Sequence, residues 1–463
     1  MRIYSAAFQT GVITIKTNDK LFKELCTLSQ KTYSIDPELY GIYNVKRGLR
    51  NADGSGVLVG LTKVGEVHGY VLDEGEKQAV DGVLRYRGIN VAKLVEACRR
   101  EKRFGYEEAA YLLLFGQLPT RKNLDEFTEY LGSMRRLPAN FTEDMILKAP
   151  SNNIMNKLAR SVLAAYSYDP NPDEISIENV LRQSFELIAR IPAMIAHAYQ
   201  AKAHYFDGKS LILHTPREDM GTAENFLYMM RPNNEFTETE AHLLDLALIL
   251  HAEHGGGNNS AFTTHVVSST GTDTYSAIAA AVGALKGPKH GGANAKVMAM
   301  IEDFKENISD ISDEKQIKEH IIKILKKQAF DRTGLVYGIG HAVYTRSDPR
   351  AEMLRESAGK LAKEKHMEEE LALYDAIARL TPQLFSEVTG KHKDLAINVD
   401  FYSGFVYKML NIPPEVYTPI FAMSRIAGWC AHRLEEITVS DRIIRPAYKN
   451  VYKRRDYVEI DKR

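Results

Sequence analysis

The chain of 463 residues exceeds one typical hydrophobic core, so we expect two domains. Its 60 Lys and Arg residues balance its 60 Asp and Glu residues. This balance excludes a global field suited to nucleic acid or to an anionic membrane surface. An anionic substrate would have to be bound by local arginines.

The three cysteines, Cys26, Cys98 and Cys430, are far apart and form no CxxC pair. Their spacing argues against a disulfide framework and fits a reducing compartment. Residues 1–16 lack the basic segment and apolar run of a secretory signal, and apolar stretches such as 244–250 are too short to span a bilayer. We therefore predict a cytoplasmic protein that binds neither nucleic acid nor membrane.

Residues 54–70 interleave Gly, Val and Thr, a pattern that predicts short strands in a small ribbon. From about Val91 onward, apolar residues recur every three or four positions, which is the spacing of helices with one buried face. Helices are predicted over residues 92–100, 106–115, 123–135, 155–165, 177–203, 223–230, 275–286, 293–304 and 356–380, with a lysine-rich one around 317–325. The fold class predicted is all-α with a minor β ribbon near the N-terminus.

The segment HAEHGGGNN places His251 and His254 three residues apart, on one face of a helix that the glycines end. A metal site is one interpretation, although the spacing differs from the i,i+4 histidines of zinc proteases. A histidine at the negative end of the helix is a second interpretation, and substrate binding is a third.

In the segment GPKHGGAN, His290 follows a Gly-Pro helix stop and precedes the next helix. Free N–H groups and the positive dipole end disfavour an imidazolium there. A neutral imidazole can still donate one hydrogen bond to an oxygen that becomes negative during a reaction. The alternative is a structural histidine in a turn.

In the segment GIGHAVYTRSDPR, His341 is followed by Arg346 and Arg350. This order is typical of a group that polarises a carbonyl beside a clamp for an anion, because arginine binds carboxylates through two parallel hydrogen bonds. The alternative is a glycine-rich turn with two solvated arginines.

In the segment LAINVDFYSG, Asp400 emerges from an apolar run. Partial removal from water would raise its pKa and strengthen it as a base. Asp is also a favoured residue at the start of a helix, so an N-cap of a helix through Lys408 is an equal alternative.

These four segments resemble the signature segments of the citrate synthase family, in the same order. Four further stretches also resemble the family: residues 83–88, 223–227, 424–428 and 442–446. The resemblance runs from about residue 80 to 450 and does not include the first fifty residues. It implies an almost wholly helical fold with a small domain at 291–411 and a large domain formed by 1–290 and 412–463. The site would lie in the cleft between them and close when substrate binds.

The resemblance implies a citrate (Si)-synthase type of acyltransferase, which condenses acetyl-CoA, oxaloacetate and water to citrate and CoA in the tricarboxylic acid cycle. Asp400 would remove a methyl proton from the thioester while His290 donates to its carbonyl oxygen. His341 would bond the ketone of oxaloacetate and protonate the new alkoxide. Such a pairing of a base with a hydrogen-bond donor fits the chemistry, because a carboxylate alone is too weak a base to deprotonate the thioester methyl group.

The resemblance also implies the binding residues. The dicarboxylate would be held by His254, Arg350, Arg425 and Arg445. The last of these would come from a partner subunit, so a homodimer with a shared active site is expected. CoA would contact Tyr337, Gly338, Ile339, Gly340 and Arg346. No metal and no permanently bound cofactor are implied, since acetyl-CoA and CoA are substrate and product.

Three positions depart from the family pattern, namely Gly255, Lys289 and Ala295. None removes a proposed catalytic group, but they leave the acyl pocket open. A 2-methylcitrate synthase that uses propionyl-CoA is therefore the alternative function. A metal-dependent hydrolase built on His251 and His254 is a hypothesis from a different class.

Overall fold

The computed structural model of the chain describes residues 20–51, 54–73, 76–341, 343–391, 394–439 and 441–463. Residues 1–16, for which no secretory signal is predicted, lie outside these ranges. The chain divides into two compact units, Met1–Gly60 and Leu61–Arg463. The first unit contains two helices and a 3₁₀ turn at Arg47–Leu49, and neither helix buries a residue.

Helices dominate the described residues, so the prediction of an all-α fold is confirmed. The α-helices are α1 (Lys20–Thr32), α2 (Glu38–Ile42), α3 (Val91–Glu101), α4 (Tyr106–Phe115), α5 (Arg121–Ser133), α6 (Ile154–Ala165), α7 (Ile177–Asp207), α8 (Thr222–Met230), α9 (Glu238–His251), α10 (Asn259–Ser268), α11 (Thr274–Lys286), α12 (Ala293–Asn307), α13 (Glu314–Leu325), α14 (Pro349–Glu364), α15 (Glu368–Thr389), α16 (Val399–Met409) and α17 (Tyr417–Val439). A π-helix at Thr142–Leu147 and 3₁₀ turns at Tyr166–Tyr168, Pro414–Val416 and Ile460–Lys462 complete them.

The predicted ribbon exists but begins later in the chain than expected. It consists of β1 (Gly65–Asp73), β2 (Glu76–Tyr86) and the short β3 (Ile89–Asn90), all antiparallel in the order β1-β2-β3. The expectation of strand structure over residues 57–62 is wrong. Alternating Gly and Val suit a strand only where a partner strand supplies hydrogen bonds, and the β1–β2 hairpin supplies them from Gly65 onward.

The single long helix predicted over 356–380 is also wrong, because α14 and α15 are separate. His366 between them has a φ of 56°, a left-handed conformation that ends a helix. Met367 N–H then donates to Ala362 O at 2.8 Å and closes the turn. The helical spacing of apolar residues continues on both sides of this break, which is why it is invisible in the pattern.

Helix α17 is buried along most of its length and packs on α4, α7, α9, α10 and α11. Its residues Arg425, Trp429 and His432 are fully buried. They are spaced by four and three residues, so they share one face of the helix. Arg425 and Trp429 on this face contact the end of α9 and the start of α10, and the segment between these two helices carries the first histidine motif.

Helices α12 to α16, all within the predicted small domain, pack on one another. Helix α12 packs on α16, α13 on α15, and α14 on both α15 and α16; α14 also packs on α9 and β2. The domain limits 291–411 stay a prediction. Among the described helices, none has the length and apolar composition needed to cross a membrane.

Candidate active site

The first motif is positioned by the end of α9. This helix ends at His251, so His254 lies beyond it and the expected shared helix face is wrong. The ring of His251 is buried and stacks on Phe421 with 4.3 Å between ring centroids. Burial, reinforced by Arg350 and Arg425, lowers the pKa of His251 well below its usual value. The residue is therefore neutral and makes no charge interaction with the helix end.

His254 lies beside the third motif. Its ring centroid is 5.4 Å from that of His341 and 5.5 Å from that of Tyr344. Burial, with a contribution from Arg350, lowers the pKa of His254 well below its usual value. Its Nε2 atom is buried without a hydrogen-bond partner among the described residues. The structure thus brings together two histidines that are far apart in sequence.

The ring of His341 is fixed by its own loop. Its Nδ1 atom accepts hydrogen bonds from the backbone N–H groups of Val343 and Tyr344, both at 3.0 Å. A nitrogen that accepts two such bonds cannot also hold a proton, so the ring proton lies on Nε2. His341 is therefore a neutral imidazole whose Nε2–H is the donor.

The loop before His341 is paired with the segment that leads to Asp400. Gly340 N–H donates to Ala396 O at 2.7 Å, and Asn398 N–H donates to Gly338 O at 2.9 Å. Gly338 has a φ of 78°, and a Cβ atom there would lie 2.8 Å from Phe401. Only glycine fits this position without strain. Pairing of the two segments fixes the position of the third motif relative to the fourth.

Asp400 lies inside the first turn of α16, and Asn398 is the N-cap, accepting from Asp400 N–H at 2.9 Å. The alternative that Asp400 itself caps the helix is wrong. Its carboxylate is therefore not committed to a backbone cap. Removal from water raises the pKa of Asp400 to about 6, although Arg350 and Arg425 oppose the rise.

Arg350 is 3% exposed and is held by Asp348, the N-cap of α14. Its Nε and Nη2 atoms donate to the two carboxylate oxygens of Asp348 at 3.0 and 2.8 Å. Burial works against the charged guanidinium, but Asp348 outweighs it and raises the pKa of Arg350. The same carboxylate accepts from Val399 N–H at 3.2 Å, which ties α14 to the start of α16.

Arg425 of α17 is fully buried and only partly bonded. Its Nε donates to His251 O at 2.6 Å, and its guanidinium lies 4.7 Å from the ring centroid of Phe421. The Nη1 and Nη2 atoms have no hydrogen-bond partner among the described residues. Burial lowers the pKa of Arg425 to about 10, so the group is still charged at neutral pH. A buried cation with two unbonded ends is a receptor for an anion.

His290 lies between α11 and α12, as predicted. Its Nε2 is 3.2 Å from Ser260 Oγ, which also accepts from Trp429 Nε1 at 3.1 Å. Burial, followed by the charge of Arg425, lowers the pKa of His290 to about 4. The expectation of a neutral ring is thus supported by desolvation and a nearby cation, in addition to the helix end.

Two residues important to this geometry were not among the predicted ones, Ser260 and Asp348. Trp429 is the only tryptophan of the chain and lies one helical turn after Arg425. That spacing could have indicated a shared face directed at the site. No local signal marked the role of Ser260, because its partners in the site, His290 and Trp429, come from two distant segments.

Two predicted binding residues are not brought to this cluster. Arg346 and Arg445 are exposed, and no described contact joins Arg445 to the site in this chain. The predicted CoA residue Tyr337 donates through its hydroxyl to Asp331 at 2.6 Å. The roles of these residues in CoA binding and in a partner's site stay predictions.

Within the described part of the chain, one group of three side chains could hold a metal ion, namely His265, His432 and Glu435. It does not include His251 or His254. Glu253, which lies between those two histidines, accepts from His432 at 2.9 Å instead. No third metal ligand joins the first motif among the residues described.

These features define a class of enzyme: a helical protein with a buried anion receptor, neutral histidines and a carboxyl group suited to proton abstraction. The sequence model described as "Citrate synthase, C-terminal domain" matches residues 53–447. The chain is 35% identical over 431 residues to a citrate synthase of Haloferax volcanii, covering 90% of this chain and 99% of that one. It is 33% identical over 387 residues to 2-methylcitrate synthase 1 of Corynebacterium glutamicum, covering 82% of this chain and 92% of that one.

A solved structure is also similar. It is the ternary complex of carboxymethyl coenzyme A and oxaloacetate with citrate synthase from Thermoplasma acidophilum, with a TM-score of 0.73 and 25% identity over 90% of this chain and 99% of that one. The chain belongs to the citrate synthase family. It is a condensing enzyme and an acyltransferase.

The Asp348–Arg350 pair gives a prediction about stability. In Asp348→Asn the buried Arg350 loses its counter-charge, and we expect the free energy of unfolding to fall by about 3–5 kcal/mol. Asp375→Asn is the matched control, because the partly exposed Asp375 binds Arg355 through two similar hydrogen bonds, and Asn keeps an oxygen that can accept from the Tyr402 hydroxyl. There we expect a change of about 0–1 kcal/mol. Chemical denaturation measures both, and equal losses would contradict the importance of burial.

Proposed function

We propose that this enzyme is a citrate synthase, which condenses acetyl-CoA with oxaloacetate and water to give citrate and CoA. The observation that carries the proposal is the buried guanidinium of Arg425, whose Nη1 and Nη2 atoms are unbonded among the described residues. The charge of Arg425 lowers the pKa of both His290 and Asp400, so both groups lie within reach of its electrostatic field. The similarity to proteins named citrate synthase supports this reading.

Oxaloacetate would bind with one carboxylate on the Nη atoms of Arg425. Arg350 supplies a second buried positive charge, and His254 supplies a neutral ring nitrogen that has no hydrogen-bond partner in the described part of the chain. Arg445 would complete the site from the partner subunit of a homodimer. Two carboxylates need this much positive charge, because neither could enter a buried site unpaired.

Deprotonation of the thioester methyl group would fall to Asp400. Its raised pKa makes it a stronger base than a solvated carboxylate while leaving it ionised at neutral pH. His290 would donate to the thioester oxygen as the enolate forms. The Nε2 side of this ring faces Ser260, so the thioester oxygen would be reached from the Nδ1 side. A neutral donor stabilises the developing charge without attracting the carboxylate beforehand.

His341 would act on the other reactant. Its Nε2–H would donate to the ketone oxygen of oxaloacetate, which polarises the carbon that the enolate attacks. The same proton would then pass to the alkoxide as the carbon–carbon bond forms. Water would hydrolyse the resulting citryl thioester to citrate and CoA. The CoA moiety would lie along the loop Tyr337, Gly338, Ile339 and Gly340, with Arg346 near a phosphate.

Propionyl-CoA is the second candidate acyl donor, because a 2-methylcitrate synthase is about as similar to this chain as the citrate synthases are. One methylene in an apolar pocket changes discrimination by only about 1–3 kcal/mol, so both thioesters should react. We expect oxaloacetate-dependent release of free thiol, with a larger kcat/KM for acetyl-CoA than for propionyl-CoA. The reverse ratio would make the enzyme a 2-methylcitrate synthase, and no thiol release with either would refute the condensation.

The role of Asp400 gives a further prediction. Because the base must be ionised and its pKa in the free enzyme is about 6, kcat/KM should rise with pH through about 6 and level off above it. His290, with a pKa of about 4, is neutral throughout this range. In Asp400→Asn we expect kcat to fall by about 10²–10⁴-fold, with a smaller change in the KM for oxaloacetate.

Asp375→Asn serves again as the control for this experiment, because Asp375 pairs with Arg355 outside the cluster. Thiol release between pH 5 and pH 8 measures all three proteins. Turnover of Asp400→Asn at the wild-type rate, or a wild-type rate that is flat across pH 6, would show that another group is the base.

A further inference from the structure

Two buried histidines, His265 of α10 and His432 of α17, face each other close to the first motif. His265 Nε2 and His432 Nδ1 are 3.0 Å apart. The other nitrogen of each ring meets a carboxylate: His265 Nδ1 is 2.7 Å from Glu436, and His432 Nε2 is 2.9 Å from Glu253. The four side chains form a continuous buried chain that the catalytic proposal does not use.

The number of protons on the two imidazole rings follows from the distances among these four side chains. An ionised carboxylate only accepts hydrogen bonds, so the outer nitrogen of each ring carries a proton and donates it. The two inner nitrogens are at hydrogen-bond distance, which requires one proton between them. Three protons on four ring nitrogens give the pair one positive charge. The charge belongs mainly to His432: burial lowers its pKa, but Glu253 and Glu435 outweigh burial and raise it to about 9.

The charged groups around this pair come from several elements. Glu435 Oε2 lies 3.9 Å from His432 Nδ1, and Glu435 Oε1 accepts from Lys63 N–H at 2.7 Å. The groups whose charges act on the pair or on its carboxylates are Glu253 after α9, Glu435, Glu436 and Arg425 on α17, and Arg87 after β2. Three carboxylates thus face two guanidinium groups, and the shared proton supplies the third positive charge.

Glu253 connects this pair to the anion receptor. It lies directly before His254, and its Oε1 also accepts from Gly255 N–H. Its Oε2 is buried without a hydrogen-bond partner among the described residues. The charge of Glu253 acts on Arg425 and opposes the loss of its proton. Without the imidazolium, the Glu253 carboxylate would attract the guanidinium of Arg425 instead. The Nη atoms of Arg425 would then turn toward Glu253 and away from an incoming anion.

We propose that the proton shared by His265 and His432 holds Glu253 as an ion and thereby keeps the Nη atoms of Arg425 available for a dicarboxylate. His432 is a positioning residue in this scheme, since it acts through Glu253 and not on the substrate. The inference rests on the proposed function only in taking Arg425 as the dicarboxylate receptor. It assigns a role in oxaloacetate affinity to a pair outside the catalytic trio.

The test is direct binding of oxaloacetate by titration calorimetry, which is independent of thioester turnover. His432→Gln retains an N–H donor toward Glu253 but cannot carry charge. We expect its Kd for oxaloacetate to rise about tenfold at pH 7.5, and we expect Glu253→Gln/His432→Gln, which removes both charges, to return to within about threefold of wild type. His320→Gln is the matched control, because His320 is an equally buried histidine paired with Asp303 at 2.7 Å. It should bind as wild type does.

The pH dependence supplies a readout that a structural role would not change, and it uses the unaltered protein. The shared proton is present below about pH 9 and is lost above it, so the wild-type Kd should rise between pH 7.5 and 9.5. His432→Gln should show no inflection at this pH, although Arg425, with a pKa of about 10, begins to titrate above it.

Several outcomes would overturn the inference: wild-type affinity in His432→Gln, a double variant as weak as the single one, or a wild-type Kd that is flat from pH 7.5 to 9.5. A stoichiometric transition metal in the purified protein would also overturn it, because the metal would occupy the position of the shared proton. Should His432→Gln fail to fold, the wild-type series from pH 7.5 to 9.0 decides alone, because Arg425, with a pKa of about 10, keeps most of its charge there. Loss of thiol release with all thioesters, with these binding results intact, would refute only the proposed condensation.

Discussion

The site depends on one costly interaction, the burial of the Arg425 guanidinium with two of its nitrogens unbonded among the described residues. A buried charge is tolerated only when its surroundings compensate it. Here compensation comes from the carbonyl of His251, the face of Phe421 and the charge of Glu253. None of these takes the Nη atoms, so the fold keeps a strong receptor open. The lowered pKa of Arg425 reflects the energetic cost of this arrangement.

Helix α17 connects Arg425 to the rest of the site. Arg425, Trp429 and His432 share one face, and each makes a hydrogen bond to a different residue of the segment 251–260. Arg425 holds the end of α9, Trp429 holds Ser260 and through it the ring of His290, and His432 holds Glu253. A rigid, buried helix is well suited to this task, because a shift of one donor would shift all three.

The sequence allowed prediction of what is encoded locally. Three signals are local: the glycine stop before His290, the apolar run before Asp400 and the periodicity of the helices. His290 lies between two helices as its motif predicted, and Asp400 follows its apolar run in the first turn of a helix. What the sequence could not reveal are partners from distant segments, such as Ser260 beside His290 or the backbone N–H of Val399 that donates to Asp348. The capping role of Asn398 was visible in principle, since Asn is as good a cap as Asp. The break at His366 was not, because apolar periodicity continues through it.

The histidines near the receptor are kept neutral in different ways, and the reason is electrostatic. His290 and His254 are neutral through burial and nearby guanidinium groups, whereas His341 is held neutral by two backbone donors on Nδ1. In the proposed reaction, an imidazolium at any of these positions would compete with Arg425 for the anionic substrate and would pair with the carboxylate of Asp400. If positive charge is confined to the guanidinium groups and to the pair formed by His265 and His432, each neutral ring can donate where negative charge would develop, and the proposed base, Asp400, stays free to take its proton.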